Sequence, residues 1–395
     1  MLCLPQRKID SYINAERLTK LAIDLVKIPS VTGEEKAVAD FLAQEYRNMG
    51  LEVEIFAENV KRPNVVARLR GTKGKPVLIF NGHIDTVPIG DEKLWSVEPF
   101  GAIVKQGRLY GRGSCDMKTG IAAMTEAVRA IQESGVKPRG DIVLECVIDE
   151  ERGGYLGTKY VTDKGVMGDF CINCDGGEHK VGVCSKGDYG VEVTMHGKAA
   201  HASRPDLGVN AIHQMIRFAN EIRKIPRRNN WAERRHKLVG PPLINISVIQ
   251  GGVQRNMVPD RCSMIIDRRT VPGYETMNDA RKEIADIIAQ QKKQDPKLNV
   301  DIREIIDVDA YEISPNEPVV QALLTAGKKV LGKKPKLSGC KGFTDGHWLS
   351  INHGIPCATF GGIGSGTHGV DENADIEAFV KSAKVYALAA LSLVG

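Results

Sequence analysis

No run of about 18 apolar residues occurs in the 395-residue chain, so no membrane-spanning helix is expected. Its first residues also lack the apolar core of a signal peptide, and the cytoplasm is the expected compartment. Strong charge of one sign is missing as well. The net charge is only +5, and the short basic runs Arg223 to Arg228 and Arg234-Arg-His-Lys237 read as solvated faces rather than a nucleic-acid stripe. Nine scattered cysteines, an odd number, do not make a disulfide framework. Cys171 and Cys174 form a C-x-x-C, but no second pair and no spaced histidine pair follows, which leaves core packing in a reducing compartment. No G-x-S-x-G is present to build a serine-hydrolase elbow, and no internal repeat or low-complexity segment appears.

What is present is a soluble globular composition, 42% hydrophobic and 26% charged, on a chain long enough for two domains. Helical spacing is expected over 14–27 and from Thr32, where Glu35 completes a capping box, to Gly50. Strands are expected at 51–56, 64–69 and 76–80, then a helix over 119–133 with small residues on its inner face. A strand leads into Glu150, a short helix starts at Gly154, and another strand leads into Asp175. From Asp188 the alternation Val191, Val193, Met195 suggests a sheet with one solvated face. Helices at 209–222 and 275–290 and strands at 243–249, 262–268 and 298–305 complete an α+β insert. The chain then returns to α/β character, with helices at 317–331, 345–352 and 374–393. The expected layout is an α/β domain, 1–186 and 307–395, interrupted by an insert at 187–306.

Chemistry-bearing residues collect where apolar runs end. Val77-Leu-Ile-Phe80 leads into Asn81-Gly-His-Ile-Asp-Thr-Val-Pro88, which puts His83 and Asp85 at a strand end. Residues two apart on an extended backbone share a side, so the carboxylate can hold the imidazole while the other ring nitrogen binds a metal. Gly111-Arg-Gly-Ser-Cys-Asp-Met-Lys-Thr-Gly120 places Asp116 in a glycine-rich turn before a helix. Ile148-Asp-Glu-Glu-Arg-Gly-Gly154 sets Glu150 and Glu151 side by side. Cys171-Ile-Asn-Cys-Asp-Gly-Gly177 offers Asp175, and Gly366-Thr-His-Gly-Val-Asp-Glu372 offers His368.

This set, in this order, resembles the acetylornithine deacetylase and succinyl-diaminopimelate desuccinylase family of two-metal hydrolases, which includes aminoacylases, G-type carboxypeptidases and some di- and tripeptidases. The resemblance spans nearly the whole chain. It implies a central-sheet zinc-hydrolase domain with an inserted lid that also dimerises, and a homodimer. It further implies two divalent metals per subunit, zinc with cobalt or manganese as substitutes. Asp116 would bridge them, His83 and Asp175 holding one and Glu151 and His368 the other. Glu150 would take a proton from the bridging water and deliver it to the leaving amine, while Asp85 orients His83.

Gly197-Lys-Ala-Ala-His-Ala-Ser203 resembles the lid motif whose His201 reaches the neighbouring subunit's site to stabilise an oxyanion. Asn256 and Arg269 match positions that bind the substrate carboxylate, with Arg268 the competing choice for the second. Gly361 to Gly366 and Gly342-Phe-Thr-Asp345 are expected to line the pocket. His179, His196, His213, His236, His347 and His353 match no motif. Many relatives carry Glu-Pro where this chain has Asp175-Gly-Gly, which tripeptidase-like members share. The implied substrate is an N-acyl amino acid or a short peptide with a free carboxylate. A catalytically dead scaffold is disfavoured because every implied ligand and Glu150 are present.

Overall fold

Strands buried on both faces must be apolar almost throughout, and four such segments lie side by side and parallel in the centre of the protein. They are Gly140–Val147, Gly74–His83, Phe170–Asn173 and Cys357–Thr359. The antiparallel strands Asn64–Leu69 and Glu52–Phe56 extend one side of this sheet. A computed structural model describes residues 8–395; the first seven residues of the expected catalytic segment lie outside them. The chain divides into two compact units, Met1–Val183 with Ile313–Gly339 and Thr344–Gly395, and Cys184–Glu312 with Cys340–Phe343. The return at Cys340–Phe343 has no counterpart in the expected bounds. Main-chain capture draws it in: Lys186 N donates to Cys340 O at 3.1 Å and Ser185 Oγ to Gly342 O at 2.6 Å.

In the first unit the final helix, Ile376–Val394, packs between helices Pro318–Leu331 and Thr119–Glu133. The expected small inner face of Thr119–Glu133 has a use at Gly120, where a Cβ would come 2.4 Å from Cys174 O. This contact sets the helix against the chain leaving a central strand. Thr32 and Glu35 do not form the expected capping box. The helix runs Lys36–Asn48, Glu35 is fully buried against Arg62 with Nη2 at 2.5 Å, and Thr32 Oγ1 donates to Asp85 at 2.8 Å. Long-range ionic partners took both side chains from the local cap. The helix expected from Gly154 begins at Thr158, and the one expected over 345–352 runs over 346–353 with a π-turn at Trp348–Asn352 inside it. A small sheet of Ile103–Lys105, Arg108–Tyr110, Asn373–Asp375 and Gly364–Ser365 was not expected, since its strands are two or three residues long.

The second unit is a four-stranded antiparallel sheet covered by helices Ala211–Ile222 and Met277–Gln294. Its strand Gly187–His196 lies between Arg261–Thr270 and Asn299–Val308 and is buried nearly throughout, so the alternation of exposure appears on Arg261–Thr270 instead. Among the described residues no helix is long and apolar enough to cross a membrane, and none of the eight described cysteines is in a disulfide.

A polar ladder crosses the parallel strands just before their carboxyl ends. Asn81 Nδ2 donates to Glu145 at 2.8 Å, Asn173 Nδ2 to Asn81 Oδ1 at 2.9 Å, and Thr359 Oγ1 to Asn173 Oδ1 at 3.5 Å. Burial pushes the Glu145 carboxyl up to about 7 from its ordinary 4.5. Ionising Glu145 therefore costs the folded state more than the unfolded chain, so its contribution is full below pH 4.5 and is lost as pH rises to about 7. Glu145→Gln is expected to flatten the fall in stability across this window, by at most a few kcal/mol at about 1.4 kcal/mol per pH unit. Denaturant unfolding of both proteins at several pH values checks this.

Candidate metal centre

Three of the parallel strands deliver part of the site at their carboxyl ends, His83 from Gly74–His83, Glu150 and Glu151 after Gly140–Val147 and Asp175 after Phe170–Asn173, while Asp116 and His368 follow strands of the small sheet. His83 is the last residue of its strand and is buried, with Nε2 2.8 Å from Asp116 Oδ1. Its Nδ1 lies 2.9 Å from the main-chain oxygen of Asp85 and 3.6 Å from the Asp85 carboxylate. The expected carboxylate hold on His83 is thus made mainly by a peptide carbonyl. The Asp85 carboxylate is spent on the neighbouring turn, accepting from Glu150 N at 3.2 Å, Glu151 N at 3.4 Å and Thr32 Oγ1.

Asp116 is nearly buried, and its other oxygen, Oδ2, lies 3.3 Å from His368 Nε2. His368 Nε2 also lies 3.0 Å from Glu151 Oε2. One carboxylate thus presents one oxygen to each of two imidazoles. Donor atoms of His83, Asp116 and Glu151 all fall within 4.8 Å of one another. Asp175, two residues past strand Phe170–Asn173, feels the charges of Asp116 and Glu151.

The electrostatics are those of an anionic site. Burial, with Asp116 and Glu151 adding to it, pushes Asp175 up to about 7. Burial likewise raises Glu150 well above its ordinary value, helped by Asp345, Asp175 and Asp116. Burial works against Asp116 ionising too, but hydrogen bonds from His368 and His83 hold it well below the carboxylate range. Those to Asp116 and Glu151 lift His368 to about 10. Carboxylates crowded in this way take up either protons or cations, and mixed imidazole and carboxylate donors fit divalent metal ions.

Glu372 was quoted in the His368 motif but given no role. The structure makes it the anchor of the Asp116 turn: its oxygens accept from the main-chain N–H of Gly113, Cys115 and Asp116 at 2.8–3.0 Å and from Arg112 Nη1 at 2.6 Å. It stands four positions after His368, the one sequence signal that could have found it. His179, His236, His347 and His353 lie elsewhere in structural contacts, such as His179 Nε2 donating to Ala378 O.

In the second unit, His201 and Asn256 are exposed on adjoining segments. His201 pairs with Met257 across an antiparallel bridge, and Ala202 N donates to Asn256 O at 2.9 Å. The two candidate arginines part by strand alternation. Arg268 is fully buried, 4.1 Å over the Trp231 ring, and bound to Glu275 at 2.7 Å and Glu283 at 3.2 Å. Arg269 is partly exposed and held by Asp267 and Asp188, each at 2.7 Å.

With this geometry in view, the comparisons with known proteins can be stated. Residues 79–392 match the family model of peptidase family M20/M25/M40. The chain belongs to this family. The resemblance read from the motifs is therefore borne out, and so is the α/β fold class. The protein is similar to a succinyl-diaminopimelate desuccinylase of Gluconacetobacter diazotrophicus, 29% identical over 93% of this chain and 94% of that one. It is equally similar to the N-formyl-4-amino-5-aminomethyl-2-methylpyrimidine deformylase of Bacillus subtilis, 29% identical over 96% and 95%. In fold it matches a tripeptidase from Staphylococcus aureus, at TM-score 0.79, 24% identity and coverage of 96% and 99%. It also matches a dinuclear metal-binding M20 peptidase from Bacillus subtilis, at TM-score 0.70, 16% identity and coverage of 96% and 98%. M20 proteins are metal-dependent hydrolases of amide and peptide bonds, and this chain is one.

The two arginines should separate in experiment. Arg268→Ala strands the buried Glu275 and the half-buried Glu283 and is expected to cost about 3–5 kcal/mol of stability, whereas Arg269→Ala strands the buried Asp188 but leaves Asp267 solvated and should cost less, about 1–3 kcal/mol. Denaturant unfolding of the two variants measures the difference.

Proposed function

We propose that this M20 hydrolase cleaves the amide bond of an N-acyl amino acid or of a short peptide with a free carboxylate, with two divalent ions per subunit, zinc foremost. The observation that carries this reading is the Asp116 carboxylate turned to two imidazoles at once. His83 and Asp175 would hold one ion, Glu151 and His368 the other, with Asp116 shared. Bound there, such ions polarise the scissile carbonyl and acidify a water. Glu150, set among His83, Asp116, Asp175 and Asp345 with its pKa raised, takes a proton from the attacking water as the C–O bond forms and returns it to the amine nitrogen as the C–N bond breaks. Asp85 fixes the direction of that carboxylate by holding the main chain of Glu150 and Glu151.

His201 would donate to the developing oxyanion in the site of a partner subunit, which makes the working form a homodimer. Asn256 and Arg269 would grip the substrate carboxylate. Three donor positions of Arg269 are taken by Asp267 and Asp188, which leaves N–H groups to bind a carboxylate and fixes their direction. A cytoplasmic setting fits the cysteines, none of which among the described residues is in a disulfide. Asp175-Gly176-Gly177 favours the peptidase reading as the alternative. A screen of N-acetyl and N-succinyl amino acids against di- and tripeptides separates the two.

Glu150→Gln removes a proton carrier and no metal donor. It is expected to keep two ions per subunit by elemental analysis while kcat falls by about 10²–10⁴. Loss of metal with the proton carrier would assign Glu150 a ligand role instead.

A further inference from the structure

Away from the metal centre, the first unit contains a cavity of about 500 Å³ whose wall is dominated by lysine. Lys180, Lys333, Lys334, Lys336 and Lys381 line it, with Glu178 the single lining carboxylate. Five of the chain's 54 lysines and arginines meet at this one cavity. Lys180 is paired with Glu178 and Lys381 with Glu377, both at 2.6 Å, whereas no carboxylate pairs with Lys333, Lys334 or Lys336 among the described residues. A helix C-terminus attracts cations, and helix Pro318–Leu331 ends beside Lys333 and Lys334. That accounts for neither Lys180 nor Lys381, which come from separate segments.

The wall is built rather than draped. Helix Pro318–Leu331 stops at Gly332, whose φ of +72° turns the chain back. Pro335 then packs so closely on Gly327 that a Cβ there would lie 2.4 Å from its ring. Lys336 O accepts from Val181 N at 2.9 Å, which ties this loop to the chain following Lys180. Leu331, Pro335 and Ile363 add apolar lining beside the lysines. Its volume falls in the range of small-molecule sites.

We propose that this cavity is a second binding site, for a phosphate-bearing small molecule of nucleotide size, with its phosphates among Lys333, Lys334 and Lys336 and its ring on the apolar lining. The site adjoins both loops that lead to the metal centre. Glu178 N donates to Gly362 O at 3.2 Å and His179 N to Gly361 O at 3.1 Å, so the stretch after Asp175 is zipped to the loop that runs on to His368.

The test uses the metal-loaded protein and adenosine triphosphate with excess magnesium, so that the nucleotide does not strip the site ions, at about 0.15 M salt, where long-range attraction is screened. Calorimetry should show one equivalent per chain. Lys333→Ala/Lys336→Ala should weaken binding by about tenfold or more, as expected for lost charge-assisted hydrogen bonds. The charge-matched Lys292→Ala/Lys293→Ala should not, and thermal unfolding confirms that both variants fold. Inorganic phosphate should bind the same site more weakly, because it cannot use the apolar lining. No saturable binding, equal weakening by the two double variants, or phosphate binding as tightly as the nucleotide overturns the proposal.

Discussion

A carboxylate has two oxygens, and at Asp116 each faces a different imidazole, His83 on one side and His368 on the other. The rest of the first unit can be understood as what is needed to hold that side chain still. Its own turn is tied down by Glu372, which receives three main-chain N–H groups and Arg112. His83 is fixed by being the end of a central strand. Glu151 is placed through Asp85, whose carboxylate gathers the main chain of the Glu150–Glu151 turn. Parallel strands make this convergence possible, since their carboxyl ends all open on one edge of the sheet.

The arrangement stores electrostatic tension. Glu145, Glu150, Asp175 and Asp345 are buried, and burial raises the pKa of each. A protein selected for stability alone would replace such groups by apolar ones of similar size. Their retention around a pair of imidazoles makes sense when cations complete the charge balance. The ladder Glu145, Asn81, Asn173, Thr359 shows the remaining cost being limited by hydrogen bonds across the sheet, one residue per strand.

Much of this was legible in the sequence because strand ends are marked by composition. Apolar runs stop, glycines appear, and His83, Asp116, Glu150, Glu151, Asp175 and His368 stand at those points. What escaped depends on partners far away along the chain. Glu372 meets the Asp116 turn across more than 250 residues, so no local pattern reports it. Thr32 and Glu35 look like a cap from their spacing alone, but Asp85 and Arg62 offer them stronger ionic partners. Which of Arg268 and Arg269 is buried could not be read from two adjacent arginines; the structure puts Arg268 between Trp231 and two glutamates and leaves Arg269 partly exposed.

The central claim is that Asp116 is shared between two metal positions while each imidazole serves one. Elemental analysis of purified Asp116→Ala, His83→Ala and His368→Ala proteins, each dialysed against the same buffered zinc, tests it most directly. The expected result is that Asp116→Ala loses both ions, whereas each histidine variant keeps one. An Asp116→Ala protein that still holds one tight equivalent, with a folded far-ultraviolet spectrum, would contradict the shared carboxylate.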